Sequence, residues 1–165
     1  MKIIGCHELD ELSRMAKDSE RLRKNLNLHD HYAEPCQRLF NALEPGTYIR
    51  PHRHTDPPKP ETFVMVRGAL ALLIFDETGQ VVSRVPLVAG GEIVAVDVPA
   101  GVWHMAVALQ PGTIFFEVKP GPYQALTDKD FAPWAPCEGD AHVSTYLSTL
   151  LEQLQVEPRA GDPHA

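Results

Sequence analysis

Apolar positions along this 165-residue chain change their period twice. Over residues 8–24 they recur at helical spacing, with Leu9, Leu12, Met15, Ala16 and Leu22 near one face and charges on the rest. That spacing predicts an N-terminal helix. The rhythm then shortens to strand-like runs punctuated by turn residues. Residues 25–29 alternate briefly, 38–43 run into Glu44-Pro45-Gly46, and 48–54 form a further strand. Asp56-Pro57-Pro58-Lys59-Pro60 must be a loop, because proline has no N–H for a sheet ladder. Residues 61–67 and 69–76 read as strands on either side of Gly68, and Glu77-Thr78-Gly79-Gln80 turns the chain into 81–87. Gly90-Gly91 opens a strand through Val98, Pro99-Ala100-Gly101 leads into 103–109, and Gln110-Pro111-Gly112 leads into 113–119. The period then lengthens again. Val143, Leu147, Leu150, Leu151 and Leu154 define an amphipathic C-terminal helix, and 157–165 read as a frayed tail.

Short strands at nearly regular intervals predict an all-β core, an antiparallel sandwich or barrel with a helix at each end. The length suits one domain. Its expected parts are 1–45 (helix and leading strands), 46–123 (barrel core) and 124–165 (helix and tail). Composition adds exclusions: a net charge of −7 disfavours nucleic acid or an anionic membrane as the main partner. No apolar run approaches the roughly 20 residues that cross a bilayer. The opening Met1–Cys6 stretch turns polar at His7, too early for a secretory signal. Cys6, Cys36 and Cys137 are widely spaced, which fits a reducing cytoplasm.

The chemistry concentrates in His52, His54, Glu61 and His104. Strand residues i and i+2 share a face with Cα atoms roughly 6.5 Å apart, so His52 and His54 can reach one ion together. Three imidazoles and a carboxylate suffice for one divalent transition metal, Fe, Mn, Ni or Zn, and an octahedral ion would keep two open positions. Asp56 in the proline loop is the rival carboxylate. His7, His142 and His164 read as solvated, His31 lacks a partner pattern, and His29 is a candidate neighbour of the site. If His104 points inward, Ala106 and Ala108 do so as well and leave room for a ligand, while Trp103, Met105, Val107 and Leu109 pack the opposite face. Phe63 and Met65 would add an apolar wall. Polar residues on strands, namely Asn25, Asn27, Arg38, Asn41, Tyr48, Glu117 and Lys119, need a network or a ligand if they face inward. Glu117 and Lys119 share a face and suit each other as an ion pair. Arg38 and Arg50 suit either an anion or the surface. Glu117, Tyr48 and His29 are the candidate catalytic groups, with Tyr123 a further hydroxyl near the ion.

Two of these patterns carry a family resemblance. Gly46, His52-Arg53-His54, Glu61 and Gly68 resemble the first motif of the cupin superfamily, and Gly91 with Pro99-Ala100-Gly101-Val102-Trp103-His104 resembles the second. The chain departs from the pattern in three places. The gap from His54 to Glu61 is longer by the proline loop, Gly91 to Pro99 is also longer, and Ala108 stands where an asparagine is common. The segments 25–29, 37–46, 116–123 and 130–136 further resemble the WbuC-type cupin metalloproteins. That resemblance implies a jelly-roll β-barrel, a bound metal and an association with surface-polysaccharide biosynthesis. The expected function is a metal-dependent enzyme acting on a small polar molecule such as a sugar or nucleotide sugar, by isomerase, epimerase or dioxygenase chemistry. The alternatives are a non-catalytic metal-dependent binding or sensing module, and a scaffold with a structural ion. Fold analogy and exposed sheet edges lead to the expectation of a homodimer.

Overall fold

The computed structural model describes residues 1–124 and 129–155. Helix α1 (Cys6–Lys17) starts where the Glu8 carboxylate accepts the Gly5 N–H at 2.8 Å. It is shorter than its apolar spacing predicts. Leu22, counted as helical above, has a φ of 53° and lies in the turn that sets Arg23 opposite Leu43. Strand pairing from Arg23 onward leaves no room for another helical turn.

The strands follow as β1 (Arg23–Asn27), β2 (Cys36–Leu43), β3 (His52–Arg53), β4 (Glu61–Arg67), β5 (Ala69–Phe75), β6 (Val81–Val88), β7 (Ala95–Val98), β8 (Trp103–Ala108), β9 (Thr113–Pro120) and β10 (Asp130–Phe131), before helix α2 (Val143–Gln155). They form two five-stranded antiparallel sheets in the orders β1-β2-β9-β4-β7 and β10-β3-β8-β5-β6. This is the all-β antiparallel barrel that the strand spacing predicts, and the jelly roll that the family resemblance implies. The strand predicted at 48–54 shrinks to His52–Arg53, since Pro51 offers no N–H. The strand predicted after Gly90 begins only at Ala95. Short β10 was unforeseen and pairs with β3, Phe131 opposite His52. The predicted tail, 157–165, lies outside the described residues.

Three apolar layers hold the sheets. Between them lie Leu43, Phe63, Met65, Leu70, Leu72, Leu87, Val98, Ala106, Ala108 and Phe115. Leu147 and Leu150 of α2 cover Ala71, Leu73, Met105 and Val107 on the outside of the second sheet. Leu9, Leu12 and Ala16 of α1 cover Ala42 and Ile114 on the outside of the first. Strands β5 and β8 are thus apolar on both faces, which is why their sequences run rather than alternate. The crossing from β4 to β5 turns at Gly68, whose φ is 68° and whose missing Cβ would sit 2.7 Å from Thr113 Oγ1. Only glycine fits both conditions.

The inner face of the first sheet divides along its width. Toward β4 and β7 it is apolar. Toward β1, β2 and β9 it carries Asn25 beside Asn41, Asn27 beside Leu39 and Glu117, and Gln37 beside Lys119. That polar half faces the ends of β3 and β8.

Candidate metal centre and its chamber

His52 on β3 sits directly across from His104 on β8. His54 follows β3 by one residue, and its carbonyl accepts the Gly101 N–H at 3.1 Å, so the Pro99-Ala100-Gly101 turn is docked against it. Glu61 opens β4. All four side chains are buried, and one ligand atom from each lies within 4.8 Å of the others. Atoms bound at about 2.0–2.2 Å to one ion must themselves lie about 3–4 Å apart, so the group could hold a metal ion.

Hydrogen bonds behind the rings set which nitrogen is presented. His52 Nδ1 faces the Arg50 carbonyl at 3.0 Å, and His104 Nδ1 faces the Val102 carbonyl at 2.9 Å. A carbonyl only accepts, so each Nδ1 carries a proton and each Nε2 is the atom presented to the group, able to give its lone pair to an ion once it holds no proton. Glu61 joins them: Oε1 is 3.0 Å from His54 Nε2 and 2.8 Å from Lys119 Nζ, and Oε2 is 3.2 Å from His104 Nε2. Burial pushes the Glu61 carboxyl up, but hydrogen bonds from His104 and His54 and the charge of Lys119 outweigh it and hold it well below the ordinary carboxylate range. Burial, then the charges of Lys129 and His104, keeps the His52 imidazole well below its usual pKa, hence neutral and able to donate a lone pair.

His52, Glu61 and His104 form part of the wall of a chamber of about 330 Å³ whose other side is the polar half of the first sheet. Glu117 and Lys119 do pair, at 3.1 Å, and Glu117 also accepts from Asn41 Nδ2 at 2.8 Å. Phe63 and Ala106 line the chamber, as their strand phase predicts. His29 lines it too: its Nδ1 lies 3.1 Å from both the N–H and the carbonyl of Arg38, and its Nε2 is buried without a partner among the described residues. Tyr123 stacks at 5.1 Å on Tyr32 at the same wall.

Other candidates lie elsewhere. Tyr48 does not face the chamber. Its hydroxyl donates to the Pro136 carbonyl at 2.7 Å, and its ring packs beneath α2 against Tyr146, because the short β3 leaves residue 48 outside the expected strand phase. Asp56 is exposed and outside the group. Arg38 pairs with Glu34, and Arg50 donates to the Ala132 carbonyl, so neither reaches the chamber. His7, His31 and His142 are exposed, and His164 lies outside the described residues. Cys6, Cys36 and Cys137 are free and exposed.

Four charged residues of the chamber escaped the sequence reading: Arg21, Arg23, Glu138 and Lys129. Arg21 and Arg23 both pair with Glu138, at 2.9 and 2.6 Å. Burial, followed by the neighbouring Lys119 ammonium, pushes the Lys129 ammonium down from its usual pKa. Arg21, Lys129 and Glu138 sit on turns and connections where no periodicity signals which way a side chain points, and Arg23 only opens the edge strand β1.

Residues 4–87, half of the chain, match the model of a family described as Domain of unknown function (DUF6016). The chain belongs to the DUF6016 family. The matched part of this DUF6016 protein carries His52, His54 and Glu61, and β8 adds His104 from beyond it. No curated protein matches the sequence. Among solved structures, oxalate decarboxylase from Bacillus subtilis at pH 4.6 is similar with a TM-score of 0.50 and 20% identity over 66% of this chain. A mutant of that enzyme matches with 22% identity over the same share and the same TM-score. KdgF from Halomonas sp. is 19% identical over 62% of this chain and 81% of its own, with a TM-score of 0.48. The match spans only 27% of the oxalate decarboxylase chain. The likeness to oxalate decarboxylase, together with the two five-stranded antiparallel sheets, shows that the DUF6016 chain has the cupin fold.

Proposed function

We propose that this protein is a divalent-metal-dependent cupin that binds a small polar molecule beside the ion and acts on it. One observation carries this reading: three of the four candidate ligands form part of a chamber wall instead of being sealed into the core. A structural ion needs no such opening, whereas a catalytic one does. A metal held by His52, His54, Glu61 and His104 would supply Lewis-acid polarisation of a carbonyl or hydroxyl, or, if iron, activation of dioxygen. Around it, Lys119 holds Glu61 in place, Phe63 and Ala106 keep one side dry, and Glu117 and His29 are the groups able to move a proton.

The chamber volume lies at the low end of the ~300–1,000 Å³ typical of ligand sites, which favours a monosaccharide over a nucleotide sugar. The resemblance to WbuC-type proteins supports a role in surface-polysaccharide biosynthesis, by isomerase, epimerase or dioxygenase chemistry. Metal-dependent binding without turnover is the second reading. It is favoured by the ion pairs that engage the other chamber carboxylates, Glu117 and Glu138. A homodimer is also part of the proposal, since Val64, Val88, Ile93 and Val94 are exposed together where β4, β6 and β7 meet.

Elemental analysis of the purified protein tests the centre. Wild type should carry about one transition-metal ion per chain, and His52→Ala and His104→Ala should each remove it. Retention of near-stoichiometric metal by either variant would refute the assignment. Turnover of simple sugars with supplied Fe(II), Mn(II) or Zn(II), against binding alone, then separates enzyme from sensor.

A further inference from the structure

The charge of the chamber bears on what it takes. Arg21, Arg23, Lys119 and Lys129 line it together with Glu61, Glu117 and Glu138. The carboxylates are committed: Glu138 to the two arginines, Glu61 and Glu117 to Lys119. Among the described residues Lys129 has no acidic partner within 4.0 Å. Glu61 and Glu117 together balance the ammonium groups of Lys119 and Lys129, so a divalent ion held in the same space would leave the chamber positive, with Lys129 the cation that touches no carboxylate among the described residues. An anion offsets that excess.

The neutral groups on the same wall favour hydroxyls. His29 Nδ1 lies 3.1 Å from both the N–H and the carbonyl of Arg38, and its Nε2 is buried without a partner among the described residues, able to donate to or accept from a hydroxyl according to the tautomer. Asn25 and Asn27 line the chamber, and neither side-chain amide makes a hydrogen bond among the described residues. A buried polar atom left unpaired costs roughly 1–3 kcal/mol, so His29 Nε2 awaits a polar ligand, and the exposed Asn25 and half-buried Asn27 amides stand beside it.

Resting on the metal reading above, we propose that the chamber receives a small polyhydroxylated organic anion, of monosaccharide size, whose carboxylate or phosphate is bound by Lys129 beside the metal group while His29, Asn25 and Asn27 meet its hydroxyls. Carboxylate and phosphate share this chemistry, and the titrations below distinguish them.

The test is calorimetric titration of D-gluconate, D-glucose 6-phosphate and neutral D-glucose into the full chain, both manganese-loaded and chelator-stripped. At least one anion should bind with Kd below about 1 mM. It should bind at least about tenfold more tightly than glucose. The anion that binds identifies the charged group. Lys129→Met should weaken that anion about tenfold or more with unchanged manganese stoichiometry, and Lys129→Arg should retain it. The proposal is overturned if glucose binds as well as both anions, if neither anion binds, or if Lys129→Met binds the anion as wild type does. A chain that takes up no manganese defeats the metal reading alone. Anion discrimination through Lys129 in the stripped protein then still decides this inference.

Discussion

At the residue scale, the metal group depends on neutral rings and a charged carboxylate. Glu61 is buried against His54, His104 and Lys119, whereas Asp56 is exposed in the proline loop. Losing a group that merely orients a ligand costs about 10–100-fold in metal affinity, so loss of a ligand should cost at least that. Glu61→Ala is therefore expected to weaken metal more than tenfold, and Asp56→Ala to leave it within about twofold. Competitive titration against a fluorescent chelator checks this, and the opposite order moves the carboxylate into the loop. Protons act on the same residues. His52 has a folded pKa below its ordinary 6.5, so the unfolded chain binds a proton that the folded chain refuses. Its stabilising contribution is present above pH 6.5 and is lost as pH falls from there toward the folded value. Glu61, also depressed from 4.5, adds a second loss below that pH. The metal-free protein should melt at lower temperature at pH 5.5 than at pH 7.5, and a Tm that rises on acidification contradicts the buried neutral ring.

At the element scale, what was legible in the sequence follows from how many faces each element buries. Strands β5 and β8 were readable because both faces are buried, one against the opposite sheet and one under α2, and β4 and β9 because their inward residues alternate, so the i, i+2 phase placed His104, Ala106 and Phe63 correctly. Helix α2 was readable from Leu147 and Leu150, both buried against β5 and β8. Leu150→Ala should cost about 2–5 kcal/mol, read as a lower denaturation midpoint, with the metal stoichiometry unchanged. If metal is lost in step with stability, the helix is coupled to the centre and not simply to the core. The errors fell at element ends. Pairing of Arg23 with Leu43 cut α1 short against its own periodicity, and Pro51 trimmed β3 and turned Tyr48 outward. Lys129 was invisible because only tertiary packing brings the residue before β10 to the chamber.

At the scale of the whole molecule, exposed edges remain. Strands β6 and β7 end their sheets, and Val64, Val88, Ile93 and Val94 lie exposed near them. Analytical ultracentrifugation at micromolar concentration should report a dimer, and Val94→Glu should shift it to monomer without loss of metal. A wild-type monomer at those concentrations removes the interface. Metal and stability are linked globally as well. An ion that binds only the folded chain stabilises it by mass action, by about 2.7 kcal/mol at a hundredfold excess over Kd, and so raises Tm.

The lateral split of the first sheet has a further consequence. Residues that would contact a ligand on β1 sit on an edge strand, away from the leucines and phenylalanines that close the barrel. Exchanging Asn25 or Asn27 for other polar types therefore alters recognition at little thermodynamic risk. Selectivity for the proposed ligand can then be redesigned independently of foldedness, with the four candidate metal ligands left untouched.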